Sequence, residues 1–221
     1  MRSLPLPLAL TARLTPVVVL ACAGWAMSSG PAATAAADHR PSQRTPTGPA
    51  SAPSSAEVPK AYATAPAACS SVPAATVKSL VPGAKTSGKE IPSTDTSLRR
   101  TCSWNALKGY DYRWLDVSFE ITDSDDAAKE EFQQRVAEKS GGGEVPGVGD
   151  AGYSVVNLTT EDKQETREGV VLVRASNALV VVTYNGSDFE TRKAPSTDEI
   201  NKGAIKAARS AVAALGSEAS G

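Results

Sequence analysis

Few side chains in this 221-residue chain could act as nucleophiles, general bases or soft metal ligands. It has three cysteines, Cys22, Cys69 and Cys102, and one histidine, His39. Two of the cysteines, Cys69 and Cys102, follow residue 66, where the globular part of the sequence begins. In an oxidising compartment, two cysteines without a third indicate a disulfide rather than a metal site or a nucleophile. We therefore expect a Cys69–Cys102 bridge.

The small number of histidines and cysteines also disfavours enzymatic chemistry. A serine or cysteine nucleophile usually needs an imidazole or amine base, and catalytic zinc is most often held by histidine. His39 lies in a proline-rich stretch and is interpreted as a solvated residue. Carboxylate-pair chemistry and a Ser-Lys arrangement stay open, but no spacing favours either. The sequence predicts a protein that is not an enzyme and has no cofactor.

Two short motifs resemble ligand sites but have the wrong context. The segment "GVGDAG", residues 147–152, matches G-x-G-x-x-G, yet a helix would precede it and a strand follow it. A dinucleotide site needs the opposite order, so that the phosphates meet a helix N-terminus. The segment "DSDD", residues 123–126, lacks the spacing and closing glutamate of a calcium loop, and we interpret it as a helix start. Neither predicts a metal or cofactor site.

The N-terminal residues 1–37 are typical of an export signal. Arg2 and Arg13 precede an apolar run, "LTPVVVLACAGWAM", and no acidic residue is present. Three endings fit this segment: cleavage near Ala35 or Ala37, retention as a membrane anchor, or lipidation of Cys22 in "VLAC", which resembles a bacterial lipobox. All three place the rest of the chain outside the cytoplasm, and in the two anchored forms the chain contacts the membrane through the N-terminus alone.

Composition divides the remaining sequence into a linker, a domain and a tail. Residues 38–66 contain six prolines and many small polar residues, which predicts a disordered tether. Residues 67–216 form one domain of ordinary size, followed by a tail at 217–221. From residue 67 onward, the sequence contains 18 basic and 22 acidic residues, which gives a formal net charge of −4. No basic footprint for nucleic acid is present.

The stretch "TCSWNALKGYDYRWLDVSFEI", residues 101–121, holds five of the nine aromatic residues that follow residue 66. Hydrophobic residues alternate with polar ones after Tyr112, which predicts a half-buried strand. Its core face carries Leu115, Val117, Phe119 and Ile121. Tyr112 and Trp114 fall on the polar face, where we expect a contact surface unless a loop or helix covers them. Trp104, on the preceding strand, is expected to pack beside the disulfide.

The element order predicts the fold class. A helix capped by Ser70 or Ser71 is followed by two strands, a helix over "DSDDAAKEEFQQRVAEKSGGG", three strands, and a helix from Ser196 to Gly216. The polar segment "TTEDKQETREG" is expected to be a loop between strands. This order indicates a single α+β domain, in which an antiparallel sheet of about five strands packs with three helices.

Several motifs together resemble a family of actinobacterial secreted proteins and lipoproteins of unknown function. They are "CSSVPAATVKSLVPG", then "CSW", the "VPGVGDAGYS" loop, the "VLVRASNALVVVTY" hairpin and an alanine-rich C-terminal helix. The resemblance covers about residues 67–216 and implies an envelope location and the disulfide, without catalytic residues to carry over. We expect an extracytoplasmic binding module for a small molecule, a wall component or a partner protein. The alternative is an accessory or sensory envelope protein without a ligand of its own.

Overall fold

The computed structural model describes residues 60–218, which lie within one compact unit of the chain, residues 54–221. A short 3-10 helix, Ala68–Ser70, precedes three α-helices and seven strands. The helices are α1 (Ala74–Leu80), α2 (Asp125–Ala137) and α3 (Thr197–Glu218). The strands are β1 (Lys89–Ile91), β2 (Arg99–Lys108), β3 (Asp111–Ile121), β4 (Gly143–Glu144), β5 (Ala151–Glu161), β6 (Gln164–Ala175) and β7 (Ala178–Asp188).

All seven strands belong to one antiparallel sheet with the order β1-β2-β3-β7-β6-β5-β4. The α+β class and the three helices are as predicted, but the strand count is seven rather than about five. The two additional strands, β1 and β4, are three and two residues long and form the edges. Segments that short cannot show a periodic hydrophobic pattern, so sequence alternation does not reveal them.

The long hairpin of β5 and β6 corrects another expectation. The polar segment from Thr159 to Gly169 was predicted to be a loop, but it continues both strands. The chain reverses at Asp162 and Lys163, which have φ values of 48° and 67°. Two adjacent left-handed residues suit a tight hairpin turn, whose twist matches that of the strands. The segment is polar because this end of the hairpin extends beyond the core.

The sheet has two unlike faces. One face, here called the inner face, is covered by α3 and the N-terminal helices, and its cross-strand rows include Val117, Val182 and Val171. Ile200 and four alanines of α3, Ala204, Ala207, Ala208 and Ala211, are fully buried against these rows. The outer face is covered by α2 over part of its area, where Ala128, Leu172 and Leu179 are buried. Among the described residues, no helix covers the remainder of the outer face.

The helix boundaries are partly as predicted. Ser124 caps α2 by accepting a hydrogen bond from the Ala127 amide at 3.1 Å, and Ser196 accepts one from the Glu199 amide at 3.1 Å. Pro73, rather than Ser70 or Ser71, is the residue before α1; the two serines instead bond back to carbonyls of the 3-10 turn. Helix α3 continues past the predicted end at Gly216 to Glu218.

The packed part of the chain starts before the predicted boundary at residue 67. Ala65 is buried, and its amide donates to the Ser97 carbonyl at 2.7 Å. The Tyr62 amide donates to Asn177 Oδ1 at 2.9 Å, and Asn177 Nδ2 donates to the Tyr62 carbonyl at 2.8 Å. These bonds make residues 62–65 part of the domain, although their composition resembles the linker. Residues 1–59, including the predicted signal, lie outside the described part of the chain.

Candidate contact surface

The disulfide predicted between Cys69 and Cys102 is present, with their Cα atoms 5.0 Å apart. It joins the 3-10 turn ahead of α1 to the inner face of β2. Trp104 packs beside it, almost fully buried, and donates its indole N–H to the Thr86 carbonyl at 3.1 Å. The bridge and Trp104 therefore brace the N-terminal segment against the sheet.

Strand β3 separates core from surface by alternation, as predicted. Leu115, Val117 and Phe119 have no exposed surface, whereas Trp114 on the opposite face is 37% exposed. Neither a helix nor a loop of the described residues covers Trp114 completely. Trp114 is thus an outer-face residue with a large accessible aromatic surface.

Polar neighbours fix the orientation of Trp114. Its indole nitrogen lies 2.8 Å from Ser103 Oγ and 2.7 Å from Asp116 Oδ1. Ser103 pairs with Asp116 across β2 and β3, so both acceptors lie in the next row of the sheet. The indole N–H is therefore satisfied within the protein, and the exposed part of Trp114 presents its ring rather than its polar group.

Three aromatic side chains meet at this end of the outer face, and we call them the aromatic patch: Tyr112, Trp114 and Phe189. The Tyr112 and Trp114 ring centroids are 6.4 Å apart with an interplanar angle of 83°. Tyr112 and Phe189 are 6.1 Å apart at 40°. Such separations are within the range of favourable aromatic contacts. The rings hold one another in a fixed arrangement while keeping exposed surface.

Phe189 was not predicted from the sequence. It follows the end of β7, and its amide donates to the Tyr110 carbonyl at 2.9 Å, next to the β2–β3 turn. Asp188 fixes this turn by accepting from the amides of Glu190 and Thr191 at 3.0 and 2.7 Å. Only the pairing of β3 with β7 brings Phe189 to Tyr112. An aspartate followed by a polar run signals such a turn, but not its neighbour in space.

Acidic groups border the aromatic patch. Asp116 contacts Trp114, and its charge, after burial as the larger cause, raises the pKa of Tyr112 above the ordinary tyrosine value. Glu168 lies in the same cross-strand row as Trp114, two strands away through Asn185. Strand spacing places that distance near ~10 Å. Tyr112 therefore stays neutral at physiological pH in a surrounding of negative charge.

The larger concavities do not include the patch. One of about 610 Å³ is lined by the β1–β2 loop and by Asp116, next to Trp114. Another, of about 430 Å³, is lined by Thr76 and by residues of α3 that include Ile205. Neither is lined by Tyr112 or Trp114. The patch itself is an open surface.

The other candidate sites from the sequence can also be located in the structure or outside its described residues. The "GVGDAG" segment forms the turn before β5, with Gly147 and Gly149 at positive φ, and no helix follows it. Within residues 60–218, no group of three or more metal-ligating side chains is assembled. None of the described helices is both long and apolar enough to cross a membrane. Cys22, the candidate lipidation site, lies outside the described residues.

Comparison with known proteins gives weak likenesses. No family model matches the chain, and no curated protein matches it. A protein from Bacteroides thetaiotaomicron, whose crystal structure is known, is similar over 50% of each chain at 10% identity, with a TM-score of 0.32. The extracellular domain of PknH from Mycobacterium tuberculosis is similar over 50% of this chain and 61% of its own, at 13% identity and a TM-score of 0.28. Both scores are too low for either protein to bear on this chain.

Proposed function

We propose that this protein is an extracytoplasmic, tethered or secreted binding module without catalytic activity, and that the aromatic patch is its contact surface. The observation that carries the proposal is the clustering of exposed apolar side chains. Among the described residues, seven large hydrophobic side chains are exposed, and four of them, Leu107, Tyr110, Trp114 and Phe189, lie at one end of the sheet. Scattered single residues would need no explanation, but a cluster indicates a binding surface.

The location outside the cytoplasm is supported by the disulfide. Stable structural disulfides form in oxidising compartments and are rare in the cytosol. The N-terminal sequence features agree with export. Among the three ligand classes expected from sequence, the open form of the patch favours a partner protein or a wall polymer. A small molecule is usually enclosed in a concave site that buries most of its surface.

A second candidate function is an accessory envelope protein with no ligand of its own. One observation favours it: the Trp114 indole N–H is satisfied by Ser103 and Asp116, so the ring contributes to the protein's own hydrogen bonding. In that case Trp114 and its neighbours stabilise the open face of the sheet, and their exposure has no further role.

Two variants separate these functions. Phe119→Ala should lower the free energy of unfolding by about 3 to 5 kcal/mol, because it removes a fully buried ring. Trp114→Ala should cost less, about 1 to 2 kcal/mol, because the ring is only partly buried, although its truncation also removes one hydrogen-bonded group. Urea unfolding of the full-length protein measures both.

The wild type and both variants are then purified from the native host. Native mass spectrometry measures which bound species each protein retains. The proposal expects an additional bound species on the wild type that Trp114→Ala loses. Unfolding of Trp114→Ala as severe as that of Phe119→Ala would show that Trp114 is structural and would favour the accessory function.

A further inference from the structure

The open outer face continues from the aromatic patch along β3 as a strip with a defined order of side chains. Trp114 is followed by Asp116 and then by Ser118, whose row includes Thr101 and Ile91. Ile91 and Leu98, which are exposed, border the far end, next to the cavity that Asp116 lines. From Tyr112 to Ser118 the strip extends about 20 Å. It has apolar groups at both ends and a polar floor between them.

The carboxylates nearest Trp114 are incompletely paired. One oxygen of Asp116 accepts the Trp114 indole N–H, and no ion pair to Asp116 exists within residues 60–218. The Glu168 side chain forms neither a hydrogen bond nor an ion pair with any described residue. Two basic side chains lie toward the far end: Lys89 shares the Asp116 row through Ser103, about 10 Å away, and Arg99 is 3.6 Å from Glu120. Near Trp114 the strip therefore offers two carboxylates whose charge is available to a partner.

Aromatic rings next to a carboxylate form a favourable site for a cation. The face of an indole or phenol ring attracts an ammonium or guanidinium group, most strongly for tryptophan. In the aromatic patch, Tyr112 and Trp114 are nearly perpendicular, so a cation at their junction meets two rings. Asp116 is at the edge of Trp114 and adds a direct charge interaction. An anionic partner, such as a phosphate polymer, would be repelled by the same groups.

We propose that the occupant of this strip is an extended segment of a partner polypeptide that presents a lysine or arginine side chain to Trp114 and Asp116. This inference rests on the proposed function and specifies the partner's chemistry. The polypeptide is favoured over a small cation because the surface is open and elongated, with apolar ends at Ile91 and Phe189. A peptide of about seven extended residues spans ~23 Å, which matches the strip. Apolar side chains at its ends would meet the two apolar borders.

The test uses the full-length protein and three fluorescent probes whose binding is measured by anisotropy. The first is the heptapeptide Leu-Ser-Lys-Ser-Lys-Ser-Leu, and the second has glutamate in place of both lysines. The third is a neutral hexasaccharide of β-1,4-linked N-acetylglucosamine. The lysine peptide should bind more tightly than the other two, and its affinity should fall as salt is raised, because exposed charge interactions are screened.

Variants locate the binding on the strip. Asp116→Asn and Trp114→Ala should each weaken the lysine peptide by about two- to fivefold, the range expected for exposed cation–aromatic and charge contacts. Glu144→Gln is the matched control, because it removes an exposed carboxylate on β4 at the other edge of the sheet. It should bind the peptide as the wild type does, which separates the strip from a general attraction to an acidic protein.

The outcomes are distinguishable. Equal effects of Asp116→Asn and Glu144→Gln, or no binding of the lysine peptide, would overturn the inference about charge while leaving the proposed contact surface intact. Binding of the hexasaccharide that Trp114→Ala abolishes would replace the polypeptide with a glycan. A large loss of unfolding free energy in Trp114→Ala would overturn both the inference and the proposed function.

Discussion

Trp104 and Trp114 lie on neighbouring strands and have opposite environments. Trp104 pairs with Leu115 and faces inward with it, whereas Trp114 pairs with Asn105 and faces outward. A shift of one residue in the β2–β3 register would place Trp114 on the same face as Trp104, because side chains alternate along a strand. The disulfide from Cys102 to Cys69 fixes the face of β2, since Cys102 must face the N-terminal segment. The apolar set of β3, which includes Leu115 and Val117, then fixes the register and leaves Trp114 outward.

Two glycines with nearly equal backbone angles allow a test of packing around the bridge. Gly88 and Gly109 have φ values of +64° and +63°. A Cβ at Gly88 would lie 2.5 Å from Cys102 Sγ and 2.7 Å from the Trp104 ring, whereas one at Gly109 would meet nothing within 4 Å. Gly109→Ala should cost about 1 to 2 kcal/mol through the left-handed conformation alone. Gly88→Ala should cost about 1 to 3 kcal/mol more, through overpacking.

Urea unfolding of both variants, with the disulfide intact, measures the difference. Equal losses of unfolding free energy would mean that the segment before β1 moves away from Cys102 and Trp104 without cost. That result would contradict the close packing that the structure shows at the bridge.

For single residues, the sequence predicted the features that depend on strand alternation or on the small number of cysteines. The outward position of Trp114 follows from the period of two along β3, and the bridge follows from two isolated cysteines behind a sequence typical of an export signal. Phe189 and Gly88 were not predicted, because their roles depend on contacts between segments far apart in sequence. The pairing of β3 with β7 joins residues about seventy positions apart, and no local pattern specifies it.

Helix α3 is the element that closes the inner face, and Gly203 sets how closely it approaches the sheet. A Cβ at this position would lie 2.5 Å from Tyr184 Cε1 and 3.3 Å from Leu80 Cδ2. The Tyr184 hydroxyl donates to the Leu80 carbonyl at 2.7 Å, so the ring cannot move without disturbing that bond. The absence of a side chain at Gly203 therefore brings α3, β7 and α1 together.

Gly203→Ala should reduce the free energy of unfolding by about 1 to 3 kcal/mol, although alanine is the better helix former by about 1 kcal/mol. Gly216→Ala is the control, because it lies in the same helix with nothing within 4 Å of the added Cβ, and it should cause no loss. Thermal or urea unfolding of the two variants gives the comparison. A gain in stability for Gly203→Ala would show that the helix has room to shift outward.

The elements themselves were predicted unevenly. The five long strands and the three helices follow from alternation, helical spacing and capping residues such as Ser124. The length of the β5–β6 hairpin was underestimated because its outer half extends past the core. The residues near Asp162 therefore show no hydrophobic pattern. The start of the domain was placed too late because Tyr62 and Ala65 are held by backbone hydrogen bonds that composition does not reveal.

On the scale of the whole molecule, the described chain begins at the end of the sheet opposite the aromatic patch. Lys60 Nζ is 3.0 Å from Asp123 Oδ1, just beyond the last residue of β3. Tyr112, at the other end of that strand, is nine residues and about 30 Å away. The first described residue therefore lies far from the aromatic patch.

Localisation can be tested independently of any ligand. Fractionation of the native host should find the protein outside the cytoplasm, and metabolic labelling with a lipid analogue should mark the wild type but not Cys22→Ala if the lipobox-like sequence is used. Release of unlabelled wild type into the medium would show cleavage near Ala35 or Ala37 instead. A cytoplasmic pool of the full-length chain would contradict export, since all three N-terminal alternatives require it.

The central claim, that the aromatic patch is a contact surface, is tested most directly by site-specific photo-crosslinking in the living host. A photoreactive phenylalanine is placed at Phe189, which is 49% exposed, or at Leu158, which is 50% exposed and lies outside the patch. Because the two positions are almost equally exposed, random collisions should produce equal crosslinking at both. A discrete crosslinked product is expected from position 189; it should be absent at position 158 and lost when Trp114→Ala is added. Equal products from both positions, or none from position 189, would contradict the claim.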